Sequence, residues 1–140
     1  MLRTTQADDP KATLDELFSR LVFNILCGNT DDHARNHAAS WNGKELTLTP
    51  AYDICPKRRP GNEASQAMLI SGNNKLNQLK SRLETVYNFL LSEIQARAIF
   101  EKIIYPIKRH WEGVCEEAEF IKVDKKLLWG GQFLNVLSTE

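Results

Sequence analysis

The sequence has little with which to build a disulfide framework. Its three cysteines, Cys27, Cys55 and Cys115, are odd in number and show no CxxC spacing. That pattern predicts reduced thiols in a reducing compartment and argues against a zinc site. Long apolar runs are also missing: no stretch of about 18 apolar residues occurs, so no transmembrane helix is expected. The opening MLRTTQADDPKAT lacks the apolar core of a signal peptide, and a cytoplasmic setting with no membrane partner is the expectation. Charge of one sign is not in excess. Lys plus Arg (18) equals Asp plus Glu (18), which leaves no global field to recruit nucleic acid. Direct nucleic-acid binding is therefore not favoured, and any such contact would have to be local. There is no internal repeat and no low-complexity tract.

What remains is the composition of a folded domain, with 42% hydrophobic and 26% charged residues in 140. A domain of that size buries about 68–70% of the surface its unfolded chain exposes. Residues 1–11 are polar and aperiodic, and read as a lead-in to a single domain over 12–140. Thr13 followed by Glu16 fits a capping box that opens a helix. Leu14, Leu17, Phe18, Leu21, Val22, Ile25 and Leu26 then form one apolar stripe, and Gly28-Asn29 ends it. Asn42-Gly43, between His37–Trp41 and Lys44–Thr49, predicts a hairpin with a type I′ turn. Pro50 closes the second strand. Cys55 to Asn62 reads as a loop and Ala67 to Ile70 as a short apolar run before a turn. Leu79, Leu83, Val86, Tyr87, Leu90 and Leu91 indicate a second helix from about Asn77.

Ser92 with Gln95 suggests a fresh capping box, and a helix carrying Ile94, Ala98, Ile99, Ile103, Ile107, Trp111 and Val114 follows it. Pro106 is expected to kink or break that helix. Asp124 could cap a last short one, which Gly130-Gly131 would split from the apolar residues that follow. The fold class is mainly α with one small β-hairpin.

The chemistry concentrates in GNTDDHARNHAASWNGKELTLTPAYD, from Gly28 to Asp53. A hairpin returns the chain to near where it left, so Asp53 can sit beside Asn36 despite the distance in sequence. Two acids and an amide in one place suit phosphoryl transfer. One carboxylate orients the attacking hydroxyl and accepts its proton; an amide and a second carboxylate hold magnesium on the phosphates. In protein kinases the base and the metal-binding Asn are five residues apart, as Asp31 and Asn36 are here.

GNTDDHARN followed by LTPAYD resembles the C-terminal lobe of the HipA family, serine/threonine kinases that act as toxins in bacterial toxin–antitoxin pairs. The likeness is sharpest over Phe23 to Pro56. It implies a protein-kinase-like C-terminal lobe with Asp31 as catalytic base and Asn36 on one magnesium. Asp53, in the AYD that stands for a conventional DFG, would bind metal and nucleotide phosphates. His33 would brace the catalytic loop and Tyr52 would pack beneath the metal site. The implied cofactors are Mg2+ and ATP. The family's glycine-rich phosphate segment and nucleotide-binding lysine lie N-terminal to the matching part, and residues 1–11 are too short to hold them. The resemblance then leaves a fragment of a kinase, a split protein whose N-terminal kinase lobe acts in trans, or a decayed remnant, and that lobe and an antitoxin protein are the partners it implies.

Other readings stand beside this one. NTDDHARN alone would pass for a solvated connection. The lobe could serve as a non-catalytic protein-interaction module, or be a decayed kinase remnant. A metal-dependent phosphodiesterase would want more carboxylates than the loop supplies. His33 and His37 are four apart but lie in a loop, with no third ligand at a zinc-like spacing. Cys27 and Cys55 read as small core residues, and Lys57-Arg58-Arg59 as a solvated loop. Tyr105 and Trp111 could face a partner lobe.

Overall fold

The computed structural model describes residues 9–57, 86–131 and 133. Helix α1 (Pro10–Leu26) is the post on which the rest is mounted. It starts one turn before the Thr13 box: Asp9 is the N-cap, its carboxylate accepts from the Ala12 N–H at 2.9 Å, and Pro10 takes the first turn, where no amide hydrogen is needed. Thr13 is already inside, its hydroxyl donating to the Asp9 carbonyl. Six residues of the predicted stripe are buried, and Leu17 packs against them from the edge.

The helix ends in a Schellman motif. Gly28, at φ +70°, donates to the Ile25 carbonyl, and Asn29 donates to that of Asn24. The chain then makes a single 3₁₀ turn, Ala34–Asn36, and enters the ribbon of β1 (Ala39–Trp41) and β2 (Leu46–Leu48). The strands pair antiparallel with Ala39 opposite Leu48 and Trp41 opposite Leu46.

The hairpin is where expected, but its turn is not type I′, which would need positive φ at both central residues. Only Gly43 has it (φ +96°). The register also shifts the turn by one residue: with Trp41 opposite Leu46 and the Asn42 N–H donating to the Glu45 carbonyl, the central pair is Gly43-Lys44, and Asn42 flanks it with Oδ1 accepting from the backbone of Lys44 and of Glu45.

Residues 58–85 lie outside the described set, and with them Ala67–Ile70, the turn after it and most of the expected second helix. Its described end is a 3₁₀ turn, Val86–Phe89, closed by Leu90 at φ +58°. The Ser92–Gln95 capping box is present in both directions and opens α2 (Glu93–Glu117). This helix runs through Pro106 without a break. Its buried face is also rotated from the expected one: Ala96, Phe100 and Cys115 are buried, whereas Ile94, Ala98 and Val114 are exposed. A last helix, α3 (Lys122–Gly131), contains Asp124 in its first turn rather than at its cap, and includes Gly130-Gly131.

The core lies where α1 meets α2 and the Val86–Phe89 turn. Phe18 is its centre, with ring centroids 5.2 Å from Phe89 and 6.0 Å from Phe100. Trp111 is not a bare lobe surface, since its ring makes tilted contacts with Trp129 at 5.0 Å and with Phe133 at 5.6 Å, while Tyr105 is exposed. Cys27 and Cys115 are buried thiols, but Cys55 is exposed and is not a core residue. No described helix is long and apolar enough to cross a membrane.

Phe18→Ala should lower unfolding free energy by about 3–5 kcal/mol, because three rings share one cluster that cannot fully collapse around the cavity. Chemical denaturation at unchanged m-value is the measurement, and a loss under about 1 kcal/mol would contradict this packing.

Candidate functional site

The site begins at the end of α1. Asn24, in the last turn, is buried, and its Oδ1 accepts from Asn29 Nδ2 at 3.0 Å, an amide pair where Schellman motifs often place an apolar contact. The same Asn29 amide reaches the Asp53 carbonyl at 3.4 Å. The turn that ends the helix is thereby tied to the far end of the ribbon, 24 residues later.

Between those points the loop divides its two acids. Asp31 is exposed, and its side chain makes no hydrogen bond or ion pair among the described residues. Asp32 is the opposite: its side chain is 2% exposed and its Oδ1 lies 2.7 Å from His37 Nε2, on a ring that is 10% exposed. A carboxylate only accepts, which puts the proton on Nε2. The clasp joins the residue after Asp31 to the residue after Asn36, so one contact fixes both ends of the loop.

Asn36 is buried at the end of the 3₁₀ turn, and its Nδ2 donates to Asp53 Oδ2 at 2.6 Å across 17 residues. The acceptor fixes which way the amide points, so Asn36 Oδ1 is the atom left over. Asp53 sits at φ +57°, in the left-handed region that a non-glycine residue enters at a cost of roughly 1–3 kcal/mol. Tyr52 holds the neighbouring position by donating its hydroxyl to the Arg35 carbonyl at 2.6 Å. His33 is half-buried, and its carbonyl accepts from the Asn36 N–H at 2.9 Å.

One further residue aligns the ribbon. Arg20, on α1, donates through Nη2 to the Thr49 carbonyl at 2.7 Å and through Nε to Glu16 at 2.8 Å. The strand leaving the hairpin is pinned to the helix just before Pro50 turns it toward Asp53. A pocket of about 230 Å³ lies behind the loop, and its lining includes Arg20, Phe23, Asp32, Asn36, His37 and Tyr52.

The structure thus joins Asn36 to Asp53, places Tyr52 and His33 on the loop's backbone, and leaves Asp31 projecting alone. Asp32 and Arg20 are supporting positions that sequence reasoning passed over, and His37 was weighed there only as a zinc ligand. Nothing in the spacing marks which of the two adjacent acids, Asp31 or Asp32, turns inward. The remaining Asn36 Oδ1 and the Asp53 carboxylate are hard oxygen donors of the kind magnesium prefers, so the residues present fit that ion. No group of three or more His, Cys, Asp or Glu suited to a metal occurs among the described residues.

Residues 1–111 match the family model described as the HipA-like C-terminal domain. No curated protein and no solved structure matches the chain.

His37→Ala should cost about 3–5 kcal/mol of stability, because it leaves the Asp32 carboxylate buried without its partner. Asp31→Ala, at an exposed and unpaired position, should stay within about 0.5 kcal/mol of the parent. Denaturant titration of the two variants separates the roles, and equal losses would show that the acids are not divided in this way.

Proposed function

The chain belongs to the family of HipA-like C-terminal domains, and we propose that it supplies the catalytic base and magnesium-binding residues of a serine/threonine kinase. One observation carries the reading. The Asn36–Asp53 hydrogen bond brings an amide and a carboxylate together beside a loop whose neighbouring acid, Asp31, is exposed and uncommitted.

In this reading Asp31 accepts the proton of the attacking serine or threonine hydroxyl. The hydroxyl oxygen bonds to the γ-phosphorus of ATP, the bridging P–O bond breaks, and ADP leaves with that electron pair. Asn36 Oδ1 and Asp53 hold the ion, and Mg2+, when bound, supplies charge neutralisation on the phosphate oxygens. The hydrogen bond from Asn36 Nδ2 keeps Asp53 from turning away, and the strained backbone at Asp53 aims its carboxylate out of the ribbon. The Asp32–His37 clasp holds Asp31 and Asn36 in one register, which matters because misplacement by about 1 Å can cost on the order of 10²-fold in rate. A separate N-terminal kinase lobe supplies the remaining nucleotide contacts, and an antitoxin protein is the regulatory partner that accompanies such a toxin kinase.

A second reading, a protein-interaction module that keeps the loop as scaffold, is favoured by the apolar side chains of Ile121, Val123 and Leu127, which are exposed at α3.

Calorimetric titration with Mg-ATP tests the site. Binding should be measurable, lost in Asp53→Ala and retained in Asp31→Ala. Absence of any heat in the parent chain, with a protein partner still captured, would favour the scaffold. In a complete kinase that includes this chain, Asp31→Ala should lower turnover by about 10²–10⁴-fold, and unchanged phosphorylation would remove Asp31 from the role of base.

A further inference from the structure

Beyond the catalytic loop, the end of α2 and the whole of α3 form a groove of about 590 Å³, within the range of ligand sites of roughly 300–1,000 Å³. Lys108, Trp111 and Glu112 line it from α2; Lys122, Lys125, Lys126 and Trp129 line it from α3. All of α3 lies past the part of the chain that matches the family.

The pattern on α3 is inverted. Residues 122, 125, 126 and 129 occupy the spacing i, i+3, i+4 and i+7 that a helix packing on its neighbour fills with apolar side chains. Here that stripe carries lysine at three of four positions. The apolar residues of the same segment point elsewhere, Val123 being 62% and Leu127 45% exposed. Among the described residues, packing uses the fourth position of the stripe, Trp129, which rests against the core cluster and Trp111, whereas a lysine at each of the other three gives up apolar burial and gathers like charge.

The like charge is only partly answered. Lys125 pairs with Glu112 at 3.1 Å, and that hydrogen bond, with a smaller contribution from Glu116, raises the Lys125 amine above its usual pKa. Lys108, Lys122 and Lys126 make no ion pair among the described residues. Two indoles flank these cations, and Trp129 is half-buried, packed against the core cluster and tilted against Trp111 with ring centroids 5.0 Å apart.

We propose that this groove binds single-stranded nucleic acid, the lysines tracking phosphates and Trp129 offering a ring to a base. Sequence-tolerant single-strand sites combine these two features, a cationic track with aromatic platforms. An acidic peptide would use the lysines but would leave the indoles without a planar partner. Duplex DNA would present its phosphates on a rigid surface and keep its bases stacked away from the groove.

Anisotropy of a fluorescein-labelled oligothymidylate, about twelve nucleotides long and so within the site size of common single-strand modules, is the direct test. Saturable binding is expected at about 50 mM salt, with a log–log salt slope near −2, corresponding to some three neutralised phosphates. The pair Lys122→Glu/Lys126→Glu changes two exposed, unpaired side chains, so the fold should survive, as circular dichroism would confirm. It should weaken binding by about tenfold or more and flatten the salt slope. In a Trp41→Phe background, which leaves only the two groove tryptophans, the oligonucleotide should quench the remaining emission. Failure to saturate, affinity unchanged by the charge reversal, tighter binding of the duplex, or equal displacement by polyglutamate would each overturn the proposal. Asp53→Ala should leave this binding unchanged, so the outcome is independent of the kinase reading.

Discussion

The geometry of the loop from Gly28 to Asp53 depends on how α1 ends. Gly28 at positive φ returns the chain across the helix terminus, and the two backbone hydrogen bonds of that turn consume carbonyls that would otherwise be stranded in the core. Because Phe18, Leu21, Val22 and Ile25 are buried, α1 is immobilised by the core, and its end is a fixed point. Asn24 and Asn29 transmit that position outward through an amide pair that also touches the Asp53 backbone. A residue with a β-carbon at position 28 would resist the left-handed turn, and the loop would start from another place. Arg20 supplies the second fixed point by holding Thr49. Between these two anchors the ribbon has little freedom in where it delivers Asp53.

The adjacent acids show how one short sequence can carry two opposed electrostatic roles. A carboxylate that is to accept a proton from a substrate needs access, and Asp31 has it. A carboxylate that is to organise a loop needs burial and one strong partner, and Asp32 has both. Burial of Asp32 is tolerable because His37 answers it with a hydrogen bond of the charge-assisted kind, roughly twice as strong as a neutral one. The Asn36–Asp53 bond is of the same kind. The site is therefore organised by two hydrogen bonds to carboxylates, one buried and one at the surface, that meet at consecutive residues, Asn36 and His37.

How much of this was legible in the sequence depended on whether the signal was local. The Ser92–Gln95 box, the Gly28 stop and the apolar stripe of α1 were legible because their causes lie within a few residues. The meeting of Asn36 with Asp53 was legible because a hairpin is a local device with a long reach. What failed was competition between local signals. Thr13 with Glu16 looks like a cap, but Asp9-Pro10 is a better one and sits one turn earlier. Asn42-Gly43 suggests a type I′ turn, yet the register centres the turn on Gly43-Lys44, and the Asn42 side chain braces it by accepting from the Lys44 and Glu45 amides. Pro106 removes one hydrogen bond from α2, but a helix held at one end by Phe100 in the core and at the other by Trp111 on Trp129 continues across the gap. The clasp of Asp32 and His37 was hidden for a different reason: which of two neighbouring acids turns inward is decided by tertiary packing, and no period in the sequence records it.

Helix α2 connects the two regions of interest. Ile103 lines the pocket behind the catalytic loop, and Lys108 and Trp111 line the groove. From Ile103 to Trp111 is eight residues, about 12 Å along a helix at 1.5 Å per residue. A strand lying over Trp129 would therefore sit within about one protein radius of the loop without entering it, and its phosphates would meet lysines rather than Asp31 or Asp53. The overall balance of 18 basic and 18 acidic residues conceals this, because net charge sums over the whole surface whereas a ligand responds to the field within a Debye length of about 8–10 Å. Over that distance the loop presents Asp31 and Asp53, whereas the groove presents four lysines against the single carboxylate of Glu112, so the two regions differ in local charge. On the proposal above, an anionic strand would be held by the second region, so the two regions would not compete for the same groups.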